Sequence, residues 1–379
     1  MIENYITDIL YKKISFSAND LKLFQTKELS RLRRVSLNTC ADWASLTSSC
    51  CSRFEHSLGV WHLAKLLAAK REFAEIGQNL RFAALAHDLA TPPFSHSSEK
   101  AMKKILGKDH EEIIDEIIFN SEFGKEVEKQ GGNLRIISDL IQKRHPLSNL
   151  INGSIDLDNL DNTLRWGFST GVISKKNYSP EKLARSFTIK DGKLALIFSD
   201  DLKKWEQCRK VAYKYIYTIY PEFIISRALD FALEAEEIDG KYFQMDDFEA
   251  SQFLKNNCNS RTKEIVERAE RWQLYPLVFN LIINRPDDGL LRRLKNPQAQ
   301  PLLADFLAKS LGFPREDIVA GVIPNKGYKK IHLPIINDGE EEVHKPNQKD
   351  VWYIHIYLFE IHTHQKSHKI AKLVKDYFN

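Results

Sequence analysis

Residues 87–99 read HDLATPPFSHSSE: a His-Asp pair closing an apolar run, a double proline, then a histidine with a glutamate three positions on. A His-Asp pair alone says little, since a chain of this length contains on the order of one by chance. The prolines give the stretch its structural meaning, because a helix ends at or before the residue that precedes a proline. Polar groups then gather where one helix stops and another starts. The flanking segments agree: HSLGVWHLAKLLAAKREFAEIG (56–77), NLRFAALAHDLA (79–90) and HEEIIDEIIF (110–119) carry apolar residues three and four apart, the period of a helix with one buried face.

This texture runs from Asp20 to about Ala235 and predicts a mainly α fold. One interruption, SFTIKDGKLALIF (186–198), places Asp191-Gly192 between two alternating runs and predicts a small β-hairpin. Beyond residue 236 helices are expected to continue through TKEIVERAERWQLYPLVFNLII (262–283). YKKIHLPIIN (328–337) and DVWYIHIYLFEI (350–361) then alternate like strands, with DGEEEVHKPNQK (338–349) between them as an exposed loop and HKIAKLVKDYF (368–378) as a last helix. The expected organisation is a helical core over 1–235 and an α+β C-terminal lobe over 236–379.

Composition narrows the function classes. The 379 residues, 43% hydrophobic and 28% charged, are ordinary for a globular protein. No stretch of about 18 apolar residues exists to span a bilayer, and the opening MIENYITDILYKK lacks a secretory pattern. Five cysteines without a C-x-x-C spacing argue against a disulfide framework or zinc ribbon, so a reducing cytoplasmic location is expected. The net charge of +4 is spread along the chain, which suits a small anionic substrate about as well as nucleic acid and leaves nucleic acid open.

Separated segments supply the residue types that a divalent metal and a phosphate ester require. RFEHSLGV (53–60) carries Arg53 and His56, the stretch at 87–99 carries His87, Asp88, His96 and Glu99, and SIDLDNLDNTLR (154–165) carries Asp156, Asp158 and Asp161. His110 starts the helix that follows. Neutral imidazoles with carboxylates make a mixed N/O set suited to Mn²⁺, Fe²⁺, Zn²⁺ or Mg²⁺, which could polarise a phosphoryl oxygen and supply hydroxide near neutral pH. His96 and Glu99 share a helix face, where the carboxylate can orient the imidazole.

In this order and spacing, RFEHSLGV, HDLATPPFSHSSE, DHEE (109–112) and GSIDLDNLD (153–161) resemble the motifs of the HD-domain deoxynucleoside triphosphate triphosphohydrolases, over about residues 20 to 235. The resemblance implies His56, His87, Asp88 and Asp158 as metal ligands, with Asp88 also serving the reaction. It implies His96 as general acid oriented by Glu99 and His110, and Arg53 and Tyr213 as contacts to phosphate and sugar. It also implies a dNTP as substrate, a homo-oligomer of two, four or six chains, and a nucleotide effector. A guanine effector does not follow, because Gln25 stands near the place where some relatives carry an acidic residue.

The departures fall on the substrate side. Where many relatives read HDLGH, this chain has Ala90 and Thr91; Asn159 and Asn162 replace a basic residue and a tyrosine; Leu37 and Asn38 occupy the region where relatives place Gln-Leu around the sugar. Thr91, before Pro92, reads as a helix N-cap, or else as a hydroxyl replacing the missing histidine at a phosphate. Other features have plainer readings. Asp156 and Asp158 lack the pattern of a calcium loop, and Asp161 and Arg165, four apart, suggest an ion pair at the surface or behind the ligands. His62 lies on another helix face from His56, and His362, His364 and His368 read as solvated surface. Two other functions stay open: hydrolysis of another nucleotide or nucleic-acid phosphoester, and nucleotide sensing with weak turnover.

Overall fold

The computed structural model describes residues 4–38, 51–215, 221–273, 275–327, 330–342, 351–359 and 367–378. The chain opens with an antiparallel hairpin, β1 (Tyr5–Asp8) and β2 (Lys12–Ser15), which the sequence pattern did not signal. Helices follow. α1 (Arg53–Ala68) begins with a capping box in which Ser52 and Glu55 satisfy each other's backbone N–H, and α2 (Gly77–Ala86) packs along it. Next come α3 (His96–Leu106), α4 (His110–Phe119) and α5 (Leu157–Ser169), the last capped by Asp156. The expected hairpin is present as β3 (Phe187–Lys190) and β4 (Lys193–Ile197), with Asp191 and Gly192 both at positive φ, as a two-residue primed turn demands. α6 (Asp200–Tyr215) returns across α5. The mainly α expectation holds, with small sheets set around a helical core.

The later third departs from the sequence reading in three places. Leu277–Asn284, expected as helix, is strand β5: the preceding helix has already ended at Glu270, and LVFNLIIN pairs along the length of a later strand. After β6 (Ile318–Pro324), the expected strand over 328–337 shrinks to β7 (Ile335–Asn337), and residues 328–329 lie outside the described residues. The expected loop at 338–349 instead turns at Asp338-Gly339 and pairs back as β8 (Glu340–Glu342), with 343–350 outside the described residues. β9 (Val351–Leu358) forms the centre of the sheet β5-β9-β6. The last helix is Ser367–Phe378.

The chain crosses its own lobes. β7 joins β4 in parallel, giving the sheet β3-β4-β7-β8, and Ile331, Leu333 and Ile335 are buried in the large core of the N-terminal helices. In the other direction, Phe94, Ala101 and Met102 pack into a second core with the helices Pro221–Glu234, Asp247–Asn257 and Ser260–Glu270. The segment joining Asp88 to His96 therefore rests on residues beyond 235.

Candidate metal centre

Three helix ends meet here. The capping box turns Arg53 and His56 inward in the first turn of α1, α2 ends with His87 followed by Asp88, and Asp158 sits in the first turn of α5. His56, His87 and Asp88 are buried and each offers a ligand atom within 4.8 Å of the others. His56 Nε2 lies 2.9 Å from Asp158 Oδ1, 3.3 Å from His87 Nε2 and 3.9 Å from Asp88 Oδ2, and His87 Nε2 lies 3.4 Å from that same Asp88 oxygen. The four expected ligands converge.

Their tautomers follow from their other partners. His56 Nδ1 is 2.8 Å from Asp161 Oδ1, and His87 Nδ1 is 2.8 Å from the Ala84 carbonyl; both partners only accept, so both Nδ1 atoms carry hydrogen. Both Nε2 lone pairs then face each other and two carboxylates. Such a set of acceptors repels unless a cation lies among them, so the donors fit a divalent metal. In a metal-free chain a proton takes that part. Burial opposes charge on His56, but its hydrogen bonds to Asp158 and Asp161, with their negative charge, hold its pKa up to about 9. Burial likewise opposes charge on Asp88, and the Arg53 guanidinium, His87 and His56 keep its carboxyl far below the usual range.

The Asp161–Arg165 pair is not at the surface: neither residue is exposed, and Asp161 backs His56. Gly59 makes this possible, since a Cβ there would lie 2.0 Å from Asp161 Oδ2. That glycine, one helical turn from His56, was the available sequence signal for a carboxylate packed against α1.

On the open side, His96 Nδ1 and His110 Nδ1 lie 2.9 and 2.8 Å from the same oxygen of Glu99, and the His96 side chain is 46% exposed. Burial raises the Glu99 carboxyl, but the two histidines outweigh it and hold it well below its usual range. Burial opposes charge on His110, and Glu99 more than restores it. Arg53 Nη1 donates to both Asp88 oxygens at 3.0 and 3.1 Å, and Nε to Ser95 Oγ at 3.0 Å. Its buried Nη2 finds no partner among the described residues. Ser95, absent from the sequence reading, passes the contact on to the Ser36 carbonyl.

Thr91 is not an N-cap. α3 starts at His96 with Ser95 before it, and the Thr91 hydroxyl donates to Asp88 Oδ1 at 3.0 Å. Phe94 and Ser95 both take positive φ, 59° and 50°, at a cost on the order of 1–3 kcal/mol each. Asp247 Oδ1 holds the Phe94 N–H at 2.7 Å, and Arg31 grips the Leu89, Thr91 and Met245 carbonyls. Tyr213, on α6, receives a hydrogen bond from Arg209, whose other nitrogen reaches Asn159 beside Asp158. Asn159 is also tied to Asp156. Leu37 and Asn38 are buried; His62 pairs with Glu181, His368 is exposed, and His362 and His364 lie outside the described residues. Of two cavities of about 650 and 530 Å³, neither is lined by His56, His87, Asp88 or Asp158; the larger is lined by Phe54 and Glu55 among others, and the smaller by Leu89 and Ala90.

Comparison with known proteins meets this geometry. The HD domain family matches residues 53–166. The uncharacterized protein MJ1154 of Methanocaldococcus jannaschii is 26% identical over 98% of this chain and 84% of its own length. A deoxynucleoside triphosphate triphosphohydrolase SAMHD1 homolog of Dictyostelium discoideum is 30% identical over 37% of this chain and 29% of its own. Among solved structures, a hypothetical protein from Aquifex aeolicus superposes with a TM-score of 0.74 at 17% identity, covering 98% of this chain and all of that one. A Bacteroides thetaiotaomicron phosphohydrolase gives 0.68 at 17% identity, covering 94% of this chain and all of the other, so the likeness extends through the C-terminal lobe as fold. With all four converging ligands inside the family match, residues 53–166 of this chain are an HD domain.

Proposed function

We propose that the chain is a metal-dependent phosphohydrolase that cleaves deoxynucleoside triphosphates at the α-phosphate, releasing a deoxynucleoside and triphosphate. The carrying observation is the meeting of His56, His87, Asp88 and Asp158 with both Nε2 lone pairs turned inward. A divalent cation bound there would polarise a phosphoryl oxygen and acidify water. The chain's own groups supply the rest. The spare Nη2 of Arg53 is a charged donor for a phosphate oxygen, fixed in place by Asp88 and Ser95. His96, exposed and held by Glu99, is the group able to deliver a proton to the departing 5′-oxygen, and the Glu99 carboxylate, shared with His110, orients its imidazole. The similarity to the Dictyostelium protein supports the dNTP assignment.

One observation favours a broader phosphoesterase. Asn159, where relatives offer a cation to phosphate, is engaged by Asp156 and Arg209. Purified protein assayed with Mn²⁺ or Mg²⁺ against all four dNTPs and NTPs separates the readings. Triphosphate from dNTPs, with ribonucleotides slower by about tenfold or more, is the expected result, since a close-packed sugar site penalises an added hydroxyl. Equal rates on ATP and dATP, or phosphate as the product, would replace the dNTP assignment with the broader one.

A further inference from the structure

The carboxylate behind His56 is held by a part of the chain far from any ligand motif. Asp161 Oδ1 accepts from His56 Nδ1 at 2.8 Å and Arg165 Nε at 2.7 Å; Oδ2 accepts from Arg165 Nη2 at 3.0 Å and the Tyr11 hydroxyl at 2.7 Å. A carboxylate has about four lone-pair positions, and here all are used. Tyr11 lies in the turn between β1 and β2. Asp8, the last residue of β1, divides its oxygens: Oδ1 accepts the Leu10 and Tyr11 N–H groups at 2.8 and 3.0 Å, and Oδ2 accepts Arg165 Nη1 at 2.8 Å. Asp161 and Arg165 are fully buried, so water cannot stand in for a missing donor. Burial and then Asp161 raise the Tyr11 phenol well above its usual range, which keeps it a donor.

We infer that the turn of the N-terminal hairpin belongs to the metal centre: Tyr11 and Asp8 are positioning residues that fix Asp161, directly and through Arg165, so that His56 keeps its Nδ1–H engaged and its Nε2 aimed at the cation. The inference rests on the metal-binding reading of the centre. Packing does not account for these contacts, because the hairpin has separate anchors. Ile14 is fully buried in the core, and Lys65 Nζ on α1 holds the Ser15 carbonyl at 2.5 Å. Docking alone would not deliver a hydroxyl and a carboxylate to a buried ion pair.

The test is a competition titration of the metal-stripped full chain with Mn²⁺ against a fluorescent chelator. Tyr11→Phe removes one oxygen atom; Asp8→Asn keeps an acceptor for the turn but removes the charge facing Arg165; Lys65→Met loosens the hairpin without touching the relay. Groups that orient a ligating histidine are commonly worth about 10–100-fold in metal affinity. Tyr11→Phe and Asp8→Asn should each raise the Mn²⁺ dissociation constant about tenfold with an unchanged circular dichroism spectrum, and Lys65→Met should leave it within about twofold. Wild-type affinity in the two turn variants, or an equal loss in Lys65→Met, overturns the inference. If Asp8→Asn fails to fold, Tyr11→Phe decides. A wild-type chain that binds none of Mn²⁺, Mg²⁺, Fe²⁺ and Zn²⁺ overturns the metal reading instead.

Discussion

The two flanks of the centre are built to different standards. Behind His56 every hydrogen-bonding position of Asp161 is filled and no part of the ion pair is exposed. In front, His96 is nearly half exposed and answers to a single carboxylate oxygen shared with His110. A ligand gains from being unable to move, because a cation is held only when its donors converge. A proton donor must meet substrate and solvent, so it needs orientation and access together.

Substitutions on the two sides should therefore fail differently. The largest effect belongs to the ligands: Asp88→Ala or His87→Ala should abolish both metal binding and turnover, read by metal analysis and product assay. Full activity with metal retained would falsify the ligand assignment. His96→Ala should keep its metal and fold while turnover drops about two to four orders of magnitude. An unimpaired His96 variant would leave the proton to His110 or water.

A smaller effect is expected from pH without metal. The folded His56 pKa of about 9 exceeds the ordinary 6.5, so the folded state holds this proton more tightly than the unfolded chain. That stabilisation is full below pH 6.5 and is lost as pH rises to about 9. It is worth on the order of 2–3 kcal/mol. Denaturant melts in chelator at pH 6 and pH 9 should show the loss, and saturating metal should flatten it. A metal-free chain equally stable at both values would show that His56 is not protonated there. Smallest is Thr91→Ala, which removes one hydrogen bond to Asp88 and should cost about 1 kcal/mol. Thr91→Ser should restore it. A change in the Michaelis constant alone, at unchanged stability and metal affinity, would return Thr91 to the substrate.

The helical core and the convergence of His56, His87, Asp88 and Asp158 were legible because each lies in a run whose period or spacing has a local cause: the Ser52–Glu55 box, the Pro92-Pro93 break, the Asp156 cap. Leu277–Asn284 was not, because an uninterrupted apolar run suits helix and strand alike until its partner β9 is known. Asp161 read as half of an ordinary i, i+4 pair, since sequence shows that Arg165 can reach it but not that His56 does. Thr91 was misread because Thr-Pro is a common helix-start signal, whereas the next helix starts only at His96, and Asp88, three residues back, takes the hydroxyl. Tyr11 and Asp8 act across about 150 residues of sequence, beyond any local pattern.

The paired positive-φ residues Phe94 and Ser95 bear on how this chain can be divided. A fragment ending at residue 235 would retain His56, His87, Asp88, Asp158, His96 and the N-terminal hairpin. It would lack Asp247, which holds the Phe94 N–H, and the Met245 carbonyl that Arg31 grips while holding Leu89 and Thr91. The bend between Asp88 and His96 would then be free to relax toward ordinary backbone angles, carrying His96 away from His56, His87 and Asp88. The C-terminal lobe thus behaves as a splint for the bend at Phe94 and Ser95, and a fragment meant to keep that bend has to include Met245 and the helix Asp247–Asn257.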